Sequence, residues 1–418
     1  MGPEVGTMRS PDGAVNPKYG WVAGGRGGPT YSSHVVISRS PCFSLTSTVH
    51  LYLHIPFCAR RCSYCDFAIA VRREVPSEAF VDAMLKEWDQ ARASPPWATA
   101  TSLQTVYFGG GTPSRLSPRA IDRLLGSIIG TAPLHPGAEV TLEANPEDVS
   151  VELAAAWVAA GVNRVSLGAQ SFNPSVLRWM HRTHVADDVP RAVAQLRGAG
   201  IGNISLDLIF ALPAELERDW SADLEQALAL EPDHLSLYGL TVEPHTPLGR
   251  WVDRGEARPT PDERYAAEFL LAHERLRGAG YEHYEVSNYA RPGKRAVHNT
   301  AYWTRAPYLG LGPSAHSASG ARRWWNIREW AEWERAIHAG GSTVAGEEFL
   351  DATMIQLEDH YLGLRTDLGV QLADLPGATV TLWERQGWGT RAEGRLRLTP
   401  EGWLRLDALA ATLAGARR

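Results

Sequence analysis

Six short apolar or β-branched runs recur at 51–55, 105–108, 140–142, 164–167, 204–209 and 234–238. Longer amphipathic segments separate them, at 78–92, 118–129, 151–160, 189–199 and 216–230. Strands that alternate with helices must pair in parallel through right-handed crossovers, so the chain is constrained to an α/β fold. Each of the first five runs leads into an unusual segment. The first meets three cysteines, and the second meets Gly109-Gly110-Gly111-Thr112-Pro113. The third ends at Glu143-Ala144-Asn145-Pro146, the fourth at Gln170-Ser171-Phe172, and the fifth carries Asp207 before Leu212-Pro213. Parallel barrels build their sites at the carboxyl ends of their strands, so these segments should face one mouth. Only six such units are readable, which favours an open six-stranded (βα)6 partial barrel of the TIM type over a closed eight-stranded one.

With 418 residues the chain is too long for one small core, and its segments divide accordingly. Residues 1–46 are rich in Gly, Pro and Ser without periodicity and read as a disordered tail or an upstream-start artefact. Residues 47–250 hold the partial barrel, 251–345 extend it, and 346–418 close the chain. Eight of the fifteen tryptophans fall from Trp303 onward, which marks the C-terminal part as different in kind. There an α+β extension is expected, ending in a small winged-helix-like module. Thr399 followed by Pro400 reads as an N-cap and first helical residue, and Leu406, Leu409, Ala410 and Leu413 mark one helical face.

Acidic residues number 47 against 41 basic ones, a net charge of −6 that lacks the basic footprint of a nucleic-acid partner. No apolar stretch reaches a membrane span and no secretory leader pattern opens the chain, so a cytoplasmic location is expected. Three of the four cysteines, Cys58, Cys62 and Cys65, lie within eight residues, whereas Cys42 stands apart. That spacing suits a metal site better than a disulfide framework. Three thiolates in a C-x3-C-x2-C loop reach three corners of a [4Fe–4S] cubane and leave the fourth iron open. The alternative is a zinc site completed by Cys42 or a histidine, but zinc sites usually show two cysteine pairs or a cysteine pair with a histidine pair.

The segment from Tyr52-Leu53-His54-Ile55-Pro56-Phe57-Cys58 to Cys65-Asp66-Phe67 resembles the radical S-adenosylmethionine enzymes related to oxygen-independent coproporphyrinogen oxidase. Within them it most resembles the HemW-type haem chaperones, over about residue 50 to the C-terminus. The resemblance implies that S-adenosylmethionine binds the open iron and that a reduced cluster can cleave its sulfonium bond. It places the cofactor's methionine amino group at the turn of Gly110, Gly111 and Thr112, and assigns a cofactor amino group to Glu143. Gln170 and Asp207 would hold the ribose hydroxyls, Arg182 the carboxylate, and Tyr52 and Tyr64 would lie near the methionine and the adenine. Ala211 stands where the family pattern has glycine.

Two departures point away from the oxidase. Phe67 occupies the place of its additional cysteine, and residues 1–46 lack its tyrosine-rich segment. His298-Asn299-Thr300-Ala301-Tyr302-Trp303 is similar to the H-N-x-x-Y-W pattern of the haem chaperones. A neutral imidazole at His298 suits haem iron, and Tyr302 and Trp303 offer flat faces to a porphyrin. Against this, a lone histidine beside Asn and Trp is more often a hydrogen-bonded core residue, and His316 is a rival ligand. Trp324, Trp325, Trp330 and Trp333 read as packing. Haem handed to an acceptor, a membrane-associated respiratory haem protein, is the expectation, from a monomer or homodimer. The rivals are a porphyrinogen oxidase and a radical methyltransferase on the same core.

Overall fold

The computed structural model describes residues 48–94, 97–100 and 102–415. Cys42 and the tail expected over 1–46 lie outside the described residues. Twelve strands form one sheet: β1 (Thr48–Ile55), β2 (Ser102–Gly110), β3 (Leu134–Ala144), β4 (Arg164–Gln170), β5 (Ile204–Phe210), β6 (His234–Gly239), β7 (Glu282–Glu285), β8 (Asn288–Ala290), β9 (Tyr308–Leu311), β10 (His316–Ser319), β11 (Arg322–Asn326) and β12 (Val344–Phe349). Their order is β12-β11-β10-β9-β1-β2-β3-β4-β5-β6-β8-β7, and the two ends do not pair with each other. The sheet is an open partial barrel.

The six expected strands run parallel from β1 to β6, with β9 parallel on the far side of β1. Antiparallel strands extend both ends. Crossover helices Ser77–Ala91, Pro118–Thr131, Val151–Ala160, Asp188–Gly198 and Trp220–Ala229 cover the outer face. Ser117, Ser150 and Asp219 each accept a backbone N–H in the first turn of the helix that follows, which fixes three of those starts.

The strands alternate strictly. Leu51, Leu53 and Ile55, Val106 and Phe108, Val140 and Leu142, Val165 and Leu167, Leu206 and Leu208, and Leu235 and Leu237 pack under the helices as one apolar core. The intervening His50, Tyr52, His54, Thr105, Tyr107, Glu139, Glu143, Arg164, Ser166, Asp207 and His234 line the other face. That face is polar, and neighbours hold several of its groups. Arg164 lies 3.9 Å from Glu139, and His234 bonds Ser205 and Tyr284 at 2.8 Å each. Helix Val297–Trp303 closes this lumen, its Val297 and His298 N–H groups bonded to Glu139 at 2.9 and 3.0 Å.

The C-terminal module is a three-stranded antiparallel sheet of 370–371, 395–398 and 389–392, with helices Ala352–Arg365, Gly377–Arg385, Pro400–Trp403 and Leu406–Gly415. Thr399 caps its helix through the Gly402 N–H at 3.1 Å, as its sequence suggests. The segment then breaks, and Leu406, Leu409 and Leu413 are buried on the second piece.

One buried carboxylate fastens the extension to the barrel. Glu87 on the first helix is 3% exposed and accepts from Gly312 N at 2.7 Å, Asn326 Nδ2 at 2.7 Å and Trp333 Nε1 at 3.2 Å. Trp333, expected as packing, is fully buried and also meets Phe80, while Trp330 meets Phe57 edge-on at 5.1 Å. Glu87→Ala strands three buried donors and should lower unfolding stability by about 3 kcal/mol, read from the urea midpoint. An unchanged midpoint would show that water replaces the carboxylate.

Candidate functional site

The strand ends meet at a cleft of about 180 Å³. Eleven residues expected from the sequence line it: Cys58, Cys62, Tyr64, Cys65, Gly110, Gly111, Thr112, Glu143, Gln170, Arg182 and Asp207. Tyr52 does not line it. Its ring packs below with Tyr107 and Ala315, and its hydroxyl meets His54 Nδ1 at 3.2 Å.

The cysteine loop is clamped at its root, where 57–58 pair with 70–71 and Ala70 N donates to Pro56 O at 2.7 Å. On its far side Ser63 N donates to Met180 O at 3.1 Å, and Arg182 Nη1 lies 3.6 Å from Cys62 Sγ. All three thiols are free. Burial pushes Cys58 up to about 11, against the pull of the Thr112 hydroxyl 3.4 Å away. Burial, with Cys62 beside it, pushes Cys65 up to about 12. Three sulfurs, with no fourth thiol among the described residues, are a fit donor set for an iron–sulfur cluster with one open iron, and its binding would displace those protons. The chain approaches the sulfurs closely: a Cβ on Gly111 would lie 2.7 Å from Pro56 O and 3.0 Å from Cys58 Sγ.

Around the cleft the polar groups are held in place. Glu143 Oε1 accepts from Tyr107 OH at 2.8 Å and Oε2 from Gly110 N at 3.1 Å. Ser166 Oγ donates to Asp207 at 2.9 Å, and Arg182 Nη2 donates to Asn145 Oδ1 at 2.6 Å and Gly168 O at 3.0 Å. Burial disfavours the Arg182 cation, but Cys62, Tyr64 and Glu147 more than offset this and hold it above the ordinary arginine range. Its buried Nε has no hydrogen-bond partner among the described residues, a donor suited to an anionic ligand group. A Cβ on Gly168 would come within 2.8 Å of Gln170 Nε2, so only glycine leaves that amide its place.

Gln170 and His181, both at the cleft, have left-handed backbones with φ of 64° and 58°. Such strain in side chains that carry a Cβ gathers at functional sites. Tyr107 and Ser166 also support or line the cleft, as do Asn145 and His181 from the segments that carry Glu143 and Arg182. The period-2 pattern could have exposed Tyr107 and Ser166, since polar residues recur on one face of buried strands.

The haem-directed residues lie elsewhere. His298 is fully buried, with Nδ1 2.6 Å from Thr105 Oγ1 and Nε2 2.7 Å from Tyr302 OH. Burial, with His50 and Arg164 adding to it, lowers its pKa well below the usual histidine range. His298 is thus the hydrogen-bonded core histidine of the bland alternative, and it presents no free nitrogen. Trp303 lies under the Arg365 guanidinium at 4.4 Å. His316 is exposed on β10 and stacks on Trp325 at 6.0 Å.

Residues 52–227 match the Radical SAM superfamily, the class to which this half-barrel and three-cysteine loop correspond. The chain is 37% identical over 375 residues to the Heme chaperone HemW of Mycobacterium tuberculosis, covering 87% of this chain and 94% of that protein. It is 39% identical over 267 residues to Heme chaperone HemW of Escherichia coli, covering 64% and 69%. The chain belongs to the HemW family of radical SAM proteins. The fold also matches the coproporphyrinogen III oxidase HemN of Escherichia coli with a TM-score of 0.74 at 22% identity, over 87% of this chain and 89% of that one. Among the described residues no helix is long and apolar enough to cross a membrane.

The raised thiols give a pH dependence. In metal-free protein at pH 8, Cys58 and Cys65 should alkylate with iodoacetamide more than about tenfold slower than a free thiol, accelerating as pH rises. The unfolded chain ionises these thiols first, so the metal-free fold should lose stability as pH climbs above the ordinary thiol range. Peptide mass spectrometry and unfolding at two pH values check both. Fast alkylation of folded protein at pH 8 would contradict the burial argument.

Proposed function

We propose that the chain is a haem chaperone with a [4Fe–4S] cluster on Cys58, Cys62 and Cys65, which carries haem to an acceptor, a membrane-associated respiratory haem protein. The single observation that carries this reading is the cleft that gathers the three thiols with Glu143, Gln170, Arg182 and Asp207, in a chain related over most of its length to proteins named heme chaperones. S-adenosylmethionine, when bound to the open iron, supplies a one-electron cleavable sulfonium. Arg182 meets its carboxylate, Glu143 its ammonium, and Gln170 and Asp207 its ribose. Phe67 lines the cleft where the related oxidase has a further cysteine, which favours cargo handling over oxidative decarboxylation.

Haem is cargo in this reading, and His298 is its proposed ligand. Ligation has a condition: the ring must first give up its bond to Tyr302 or to Thr105. His316 needs no such opening.

Anaerobic reconstitution followed by haem titration tests the reading. Cys58→Ala, Cys62→Ala or Cys65→Ala should abolish the brown cluster absorbance, and Cys42→Ala should retain it. Loss in the Cys42 variant would mean a four-thiolate site.

Wild-type protein should bind about one haem per chain, since one histidine segment supplies the iron bond. His298→Ala should weaken that binding or change its Soret signature, and His316→Ala should do so less. Wild-type haem binding by the His298 variant, with His316→Ala defective, would transfer the ligand role to His316.

A further inference from the structure

We propose that Tyr107 is a positioning residue that aims Glu143 at the cofactor's ammonium group and ties that aim to the seating of His298. The inference rests on the function proposed above and goes beyond it, because Tyr107 touches neither cofactor nor cargo.

Both oxygens of Glu143 are fixed from strand β2. Tyr107 OH donates to Oε1 at 2.8 Å from within the lumen, and Gly110 N donates to Oε2 at 3.1 Å from its rim. A carboxylate oriented at both oxygens presents its charge in a fixed direction, and an ammonium group has the hydrogens and the charge to meet it. The phenol is a rigid plate with its hydroxyl at one end. Any tilt of the ring therefore moves the donor away from Glu143.

The ring's tilt is set by its neighbours. Tyr107 stacks on His298 at 4.9 Å and 26°, and on Tyr52 at 6.0 Å and 25°. Thr105, two residues earlier on the same face of the same strand, bonds His298 Nδ1 at 2.6 Å. One strand thus grips the imidazole by its edge and its face. A Cβ on Gly109, next on that face, would lie 2.8 Å from the Tyr52 ring and 2.9 Å from the Tyr107 ring, so the stack has no slack at its upper end.

An imidazole that turns out to bind iron removes one wall of this stack. Tyr107 then loses the nearer of the two stacks that set its plane, and the donor it offers Glu143 is free to tilt. Linkage is reciprocal, so cofactor held by Glu143 must resist release of His298 by the same factor that haem weakens the cofactor. The two ligands, in separate places, are coupled through one ring.

The test uses the reconstituted full-length protein and its Tyr107→Phe variant, which keeps the ring and removes the hydroxyl. Radiolabelled S-adenosylmethionine is titrated by equilibrium dialysis with and without saturating haem, with cluster absorbance as control. Wild-type protein should bind the cofactor several-fold more weakly when haem is bound. The variant should keep its cluster, bind the cofactor about tenfold more weakly, and lose the haem-dependent shift. A purely structural role for Tyr107 would lower cluster content without abolishing that shift. Wild-type affinity in the variant, a retained shift, or wild-type protein that binds both ligands without mutual effect overturns the inference alone. Wild-type protein that binds neither ligand overturns the proposed function with it.

Discussion

Arg164 sits inside the half-barrel with 2% of its surface exposed, and the lumen is arranged around its charge. A buried guanidinium is costly unless an anion faces it, and Glu139 does so from the neighbouring strand at 3.9 Å. Glu139 then has a second duty. It receives the first N–H groups of helix Val297–Trp303, so the ion pair is also the anchor of that helix. The positive charge adds to burial in keeping His234 and His298 neutral, since a second cation in this space would be repelled. A neutral imidazole both donates and accepts, as the paired bonds of His298 require. The ligand-like state of His298 and its locked position have the same origin.

Closed parallel barrels fill their interiors with layers of branched apolar side chains. An open one cannot, because its inner face stays accessible from one side. Here the inner row of the parallel strands β1 to β6 is mostly polar, and only its upper members reach the cleft. Ser166 and Asp207 illustrate the gradient: one hydroxyl in the wall orients a carboxylate at the mouth. The polar lumen thus serves as the support layer of the site, and the cofactor-facing groups inherit their directions from it.

The units between residues 48 and 239 were legible because each carries its own punctuation. Serine or aspartate caps open three of the five crossover helices, and glycine or proline follows several strands. The helix over 151–160 and the strand starts at 164, 204 and 234 stand where the pattern puts them. Long-range pairing was not legible. β9 joins the sheet beside β1 although about 250 residues separate them, and no local pattern announces a strand of four residues that belongs there. The site divides the same way. Cysteine spacing, strand-end motifs and, for Tyr64 and Arg182, the family resemblance pointed to eleven of the cleft's residues, because those side chains come from consecutive units. Tyr52 belongs to the same motif run yet faces a space taken by Tyr107 and Ala315, which only packing decides. His298 carries a recognisable motif, but its burial depends on Thr105, Tyr107 and Glu139 from two other strands.

The cysteine loop obeys a related logic. Its root at 57–58 directly follows the first strand and pairs with 70–71, while its far side leans on the segment after the fourth through Ser63 and Arg182. Three thiolates crowded together would repel one another, and the guanidinium beside Cys62 offsets part of that repulsion. The same Arg182 is fastened to Asn145 and Gly168, at the ends of the third and fourth strands. Loop, arginine and strand ends therefore form one electrostatic unit that exists before any ligand arrives. Burial holds its Cys58 and Cys65 thiols protonated, so any ligand that takes them as thiolates must supply the free energy that ionises them.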